Sequence, residues 1–222
     1  METKTLFTMK KLFITMCLLS MISSLSYAQN LRYGFTGGVN LSKPTGDVEP
    51  DGVRAGLLLG VKGELEIPAI KGLYTEFGLQ LSTKAHKSGL VIGFENEYLQ
   101  STTDINYLNI PIHIGYKIKC SESISFLVNA GPYFGVGMWG KQKFYRDEKK
   151  YHSASDIFSG EYGYKRFDYG CGFNIGVEYA KHFQLTLGAD WGLKDICKKS
   201  SYKYRNRSFT ISLAVSYTHL RA

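Results

Sequence analysis

Residues Phe167 to Leu193, FDYGCGFNIGVEYAKHFQLTLGADWGL, decide the fold. Up to Tyr179 the odd positions carry Phe167, Tyr169, Cys171, Phe173, Ile175, Val177 and Tyr179. The even positions carry Asp168, Gly170, Gly172, Asn174, Gly176 and Glu178. Strict period two of this kind makes a β-strand with one apolar and one polar face. After Ala180-Lys181-His182 the alternation resumes, with Phe183, Leu185, Leu187, Ala189, Trp191 and Leu193 on the apolar side. The stretch is a hairpin with a continuous apolar band. In a soluble barrel or sandwich that band meets a core, whereas in a membrane barrel it meets lipid and the polar face lines the interior.

Working outward, the same alternation recurs in Leu31–Leu41, Val53–Ile67, Leu73–Lys84, Leu108–Ile118, Ile124–Met138 and Phe209–Tyr217, which with the hairpin makes eight segments. Each reaches the roughly 9 to 11 residues that a tilted strand needs to cross a bilayer. None of the apolar faces carries a charge, and the opposite faces carry charges of both signs.

The connections sort by length. Lys43 to Gly52, Ala85 to Thr102, Lys141 to Lys165 and Lys194 to Asn206 are long, while Pro68 to Lys71, Cys120 to Ser123 and Ala180 to His182 are short. Short turns at one end and long loops at the other are the asymmetry of outer-membrane barrels, with the long loops outside. Aromatics gather at two rims, Tyr33, Tyr116, Tyr179 and Tyr217 at one and Phe167, Tyr169, Trp191 and Phe209 at the other. That is where amphipathic rings sit at a bilayer interface. Glycines such as Gly34, Gly131, Gly172 and Gly188 fall on the polar phase, where an eight-stranded barrel has too little room for a large side chain at every position. The expected fold is all-β: an eight-stranded antiparallel up-and-down transmembrane barrel over residues 29–217, in the outer membrane of a Gram-negative bacterium.

The flanks fit export. Lys10 and Lys11, the apolar run Leu12 to Leu25 and the small-x-small Ser26-Tyr27-Ala28 read as a signal peptide over residues 1–28. Removing it takes out more basic than acidic residues, yet the chain, with formal charge +8 in full, stays basic. Past the leader, no stretch approaches the roughly 20 apolar residues of a membrane helix. Cys120, Cys171 and Cys197 lack metal-ligand spacing and are too few for a disulfide framework. Residues 218–222 form an atypical tail after Tyr217.

Tyr107-Leu108-Asn109-Ile110-Pro111, Ala130-Gly131-Pro132-Tyr133 and the glycine-rich strand leading into the opening hairpin resemble the PorT-like, porin-family outer-membrane barrels of Bacteroidota-type bacteria. The resemblance spans nearly the whole mature chain, and its short motifs mark the scaffold. It implies an eight-stranded barrel, in a family of mostly unassigned role with one branch implicated in type IX secretion. It also implies a strand-terminal aromatic at the C-terminus, where this chain instead continues as Thr218-His219-Leu220-Arg221-Ala222.

Two groups of residues are candidate sites. Arg54, Lys62, Glu64, Glu66, Glu76, Lys117, Asp168, Glu178 and Asp190 fall on polar phases. In a lumen just wide enough for its own side chains they are expected to neutralise one another in an internal network rather than line a path. His113 is expected to join them. Lys141, Lys143, Arg146, Lys149, Lys150, Lys198, Lys199, Lys203 and Arg205 crowd the third and fourth long loops among tyrosines. They suit lipopolysaccharide phosphates or an acidic surface ligand.

Other chemistry is poorly supported. Gly135, Gly137 and Gly140 have the spacing of a dinucleotide fingerprint, but a polar loop follows where that motif requires a helix. The loop residues His86, Ser88, His152, Ser153 and Asp156 are the types a lipid-modifying barrel enzyme uses, without a motif to unite them. The expectation is a monomeric, non-enzymatic barrel without cofactor or nucleic-acid partner, serving surface contact or as an envelope or secretion-system scaffold. The alternatives are a narrow channel for small solutes and a soluble lipocalin-like carrier.

Overall fold

The computed structural model describes residues 31–46, 52–92, 97–146, 149–160, 163–198 and 203–218. The expected signal peptide and residues 219–222 of the expected tail lie outside them. The elements are β1 (Leu31–Ser42), β2 (Thr45–Gly46), β3 (Arg54–Glu66), β4 (Leu73–Ile92), β5 (Glu97–Lys119), β6 (Ile124–Arg146), β7 (Lys149–Ala154), β8 (Phe167–Tyr179), β9 (Phe183–Gly192), β10 (Tyr204–Arg205) and β11 (Arg207–Thr218).

Eight of them form a ring, β1-β3-β4-β5-β6-β8-β9-β11, closed where β11 returns to β1. That last pairing runs antiparallel from Arg32↔Thr218 to Ser42↔Ser208, so no sheet edge is left open in the ring. The last strand therefore includes Thr218, one residue beyond the boundary expected from sequence.

The apolar faces point outward. Phe35, Leu57 and Ile114 are more than 60% exposed, and the inner-rim Tyr33, Tyr116, Tyr179 and Tyr217 and outer-rim Phe167, Tyr169, Trp191 and Phe209 also face outward. The buried set is mostly polar: Thr36, Asn40, Lys62, Glu64, Asn109, Asn129, Asp168, Gln184 and Ser216 are all within. An apolar outside around a charged inside is costly in water and favourable in lipid. The soluble-carrier alternative is thereby excluded.

Three regions depart from the sequence reading. The segment 85–102, expected as a loop, is mostly strand: β4 continues to Ile92, β5 starts at Glu97, and the two pair as far as Ile92↔Glu97. β6 likewise continues to Arg146 and pairs with β7, so β4 to β7 rise as a four-stranded extension above the mouth. Thirdly, β5 and β6 slip register between Asn106 and Tyr107, which face Trp139 and Gly137. The unpaired Met138 is a bulge that turns Met138 and Trp139 both outward and brings Gly140 inward.

The opening hairpin pairs from Gly170↔Gly192 to Tyr179↔Phe183. Its turn holds Ala180 at φ 52 and Lys181 at φ 60, and the His182 amide donates to the Tyr179 carbonyl at 3.1 Å. Positive φ at both central positions matches the right-handed twist of the flanking strands.

Candidate functional site

At the short-turn end of the lumen six strands each contribute polar side chains. Lys62 Nζ lies 2.7 Å from Glu76 Oε2 and 3.0 Å from Glu64 Oε1. Lys117 Nζ lies 2.6 Å from both Glu64 Oε2 and Glu178 Oε2. Arg32 reaches Glu178 through Nη2 at 3.0 Å and Glu64 through Nη1 at 3.6 Å, and Nη2 also donates to the Lys181 carbonyl in the hairpin turn. Gln184 stands among them, donating to Glu64 and Glu178 at 2.7 Å and accepting from Lys62 at 2.6 Å. Arg32, Lys62 and Lys117 thus balance Glu64, Glu76 and Glu178, which satisfies the condition under which buried ions persist.

The expected network and the observed one differ in membership. Arg54 is half-exposed at the opposite end and faces Asp104 at 3.5 Å, while Glu66, at the end of β3, is exposed and outside the cluster. Arg32 and Gln184 are central. Their inward phase was legible, but their role depends on register across the β1–β11 and β8–β9 seams.

Above this layer, His113 Nδ1 is 3.1 Å from Asn129 Oδ1 and 3.2 Å from Asn174 Nδ2. Beside them a polar cavity of about 60 Å³ is lined in part by Thr36, Gln80, Asn109, His113 and Asp190. It has room for a few waters and no more. Nearer the long-loop end, Asp168 is fully buried and accepts from Lys84 at 3.3 Å, Tyr133 at 3.3 Å and Asn206 at 2.8 Å. Lys84 lies 4.5 Å from the Tyr133 ring centre. Asp190, partly exposed, meets Ser208 Oγ at 3.4 Å.

The outer mouth is covered by apolar side chains from segments that read as polar loops. Ile157 and Phe158 pack against Ile105 and Tyr107, with Tyr164 alongside. Ile196 and Tyr204 are also buried, and β10 pairs with β2 through Tyr204↔Gly46. A Cβ on Gly137 would stand 2.5 Å from the Phe158 ring, and one on Gly140 would collide with Ile157. Two of the three glycines that share the spacing of a nucleotide fingerprint are therefore seats for this cap, while Gly135 makes room for Asn109. Asp156 accepts from the amides of Phe158 and Ser159 at 3.2 Å, and Lys198 Nζ donates to the Phe158 carbonyl at 2.5 Å. The Lys165 amide donates to the Ile196 carbonyl at 2.7 Å, joining the two loops.

His86 is buried in the cap with Nε2 3.2 Å from the Tyr164 hydroxyl, and its ring packs on Tyr204 at 4.9 Å. Burial, with the Arg54 charge nearby, pulls its pKa down to about 4. Burial likewise pushes the Tyr164 phenol up to about 12. The candidate catalytic loop residues do not converge: Asp156 is engaged in its own turn, His86 in the cap, and His152 packs against Phe144. Ser153 is exposed, and Ser88 pairs with Ser101 through the β4–β5 ladder.

Of the basic residues, Lys141, Lys143 and Arg146 lie on β6 and Lys149 and Lys150 on β7, all on the four-stranded extension. Lys203 and Arg205 are exposed at the opposite side of the mouth, near β2. Lys198 is a tie between loops, and Lys199 lies outside the described residues.

Residues 27–198 match the family model described as outer membrane protein beta-barrel domain. Among solved structures, the chain is similar to Ail, the attachment invasion locus protein of Yersinia pestis, in complex with the heparin analogue sucrose octasulfate. The identity is 11%, covering 84% of this chain and 99% of that one, with a TM-score of 0.40. It is also similar to neisserial surface protein A, at 12% identity over 83% and 97% of the chains and a TM-score of 0.40. OprG from Pseudomonas aeruginosa gives 14% identity over 84% and 95%, with a TM-score of 0.46. No curated protein matches the chain.

Proposed function

The chain belongs to the outer membrane protein β-barrel domain family, and from that premise we propose that it is a closed barrel that anchors a binding surface in the outer membrane. One observation carries the reading: the lumen is obstructed twice, by the Glu64-centred ion network at one end and by the Ile157–Phe158 cap at the other. Between them, the space about His113 has room for only a few waters.

The surface so anchored is the β4–β7 extension with Lys141, Lys143, Arg146, Lys149 and Lys150. Its charge suits lipopolysaccharide phosphates or an acidic surface ligand. The role is non-enzymatic, in keeping with the separate engagements of His86, His152 and Asp156. The PorT-like resemblance at Tyr107–Pro111 and Ala130–Tyr133 favours work as an envelope or secretion-system scaffold.

Planar-bilayer recording on the purified full chain tests the reading. The expected outcome is a flat trace at moderate voltage. Reproducible unitary openings would establish the narrow-channel alternative instead.

A further inference from the structure

On the far side of the barrel from the β4–β7 extension, a groove of about 550 Å³ opens at the outer rim across β1, β11 and β9. Its walls are mostly apolar and include Leu41, Val53, Trp191 and Phe209, with Lys43 and Arg207 among the residues at its margin. Leu41 pairs with Phe209 and Arg207 with Trp191, so these side chains share one outward face. The Lys43 amide donates to the Arg207 carbonyl at 3.0 Å, which sets two cations side by side just above the Leu41–Phe209 pair.

Like charges in neighbouring cross-strand positions repel. Both side chains are exposed, and among the described residues neither has an ion-pair partner. Asp190 also borders the groove, but its carboxylate is turned inward, toward Ser208 and the space above Gly172. The groove itself faces sideways at the level of the outer aromatic girdle, where a lipid's headgroup meets its chains.

We infer that this groove is a binding site for a phosphorylated, acylated lipid of the outer leaflet. Its phosphate sits between Arg207 and Lys43, and one acyl chain lies along Leu41, Phe209 and Trp191. Arginine offers a fork that matches phosphate oxygens, and lysine adds a point charge. An anion between them also relieves their mutual repulsion. The inference rests on the reading that the long-loop end lies outside, but it uses none of the cations on the β4–β7 extension.

The test uses the full chain in detergent micelles, carrying Trp139→Phe so that Trp191 is the fluorescent reporter. The probe is a bisphosphorylated, acylated glucosamine disaccharide, with its dephosphorylated form and inorganic phosphate as comparison ligands. Saturable quenching by the bisphosphorylated lipid is expected, weakened roughly tenfold or more in Lys43→Gln/Arg207→Gln, since both cations near the lipid surface are lost. Phe209→Ala should weaken it further.

Equal binding of the dephosphorylated form would overturn the phosphate clamp, and equal binding of inorganic phosphate would overturn the acyl groove. Retention in Lys43→Gln/Arg207→Gln with loss in Lys141→Gln/Lys143→Gln would move the lipid to the extension, sinking this site while leaving the proposed binding surface intact. No binding in any form sinks the site, and the conductance test then still decides the closed-barrel reading by itself.

Discussion

At the short-turn end Arg32, Lys62 and Lys117 meet Glu64, Glu76 and Glu178, whereas at the long-loop end Ile157, Phe158, Ile196 and Tyr204 close over the mouth. The first closure is built from strand residues fixed by the ladder, and every ion touches at least one opposite charge. The second is built from loops, held by a few hydrogen bonds and by apolar contact. Buried ion networks tolerate no missing member, while an apolar cap can lift as a unit and reseat. The difference is between an end that can only be broken and an end that can be opened.

The largest expected effect therefore comes from the network. Glu64→Ala removes the carboxylate that lies 2.6, 3.0 and 3.6 Å from Lys117, Lys62 and Arg32, so three buried cations share only Glu76 and Glu178 and one charge is stranded, and Gln184 loses one of its two 2.7 Å acceptors. Removing one partner of a buried pair costs about 3–5 kcal/mol. Urea unfolding of the protein in micelles should show a loss of that size. Glu64→Ala/Lys117→Met should recover part of it, because the stranded charge is gone. A loss below about 1 kcal/mol would mean that this end is wet and the contrast with the cap is void.

A smaller and local effect is expected at the other end. Gly140→Val puts two methyl groups where Ile157 rests. Overpacking of this kind costs about 1–3 kcal/mol; the loop can yield to the closer clash with Ile157, while a Cβ 2.8 Å from the Asp104 carbonyl also presses on the β5 backbone. Trypsin should cut faster at Lys165 and Arg166 in the variant, while its urea midpoint falls by less than that of Glu64→Ala. Bilayer traces should remain flat, since the inner network is untouched. Channel openings in Gly140→Val would show that the cap is the sole barrier.

Much of this contrast was legible in the chain because its causes differ. A bilayer outside and a narrow lumen inside impose period two, so the outward Leu187 and inward Glu178 follow from position alone. Which ions meet depends on register, and that is why Arg54, on the right phase, pairs with Asp104 at the rim instead of joining Glu64. Glu66 has the right phase too, but the strand ends there and leaves it exposed. The cap leaves no pattern in the sequence because Ile157, Phe158 and Ile196 lie in polar segments without periodicity. The one signal was the pair Gly137 and Gly140. Both face inward three residues apart, which the bulge at Met138 alone permits.

The smallest effect separates the two ends by pH. His86, next to Tyr164 and Tyr204 in the cap, has a pKa pulled from 6.5 to about 4, first by burial and then by the Arg54 charge. When the cap lifts, the ring regains its ordinary pKa, so between pH 6.5 and 4 the open form takes up the proton first. Cap stability is then complete above pH 6.5 and falls as the solution is acidified toward 4. At pH 5.5 the loss is roughly 1 kcal/mol for a shift of this size. Protease cleavage at Lys165 and Arg166, with an acid-tolerant enzyme, should therefore rise about fivefold to tenfold between pH 7 and 5.5 under conditions where reclosing outpaces cutting. His86→Gln keeps a polar group toward the Tyr164 hydroxyl and cannot titrate, so its cleavage rate should stay flat across the same interval. Equal acid sensitivity in the two proteins would place the proton elsewhere and remove His86 as the reason the outer end loosens.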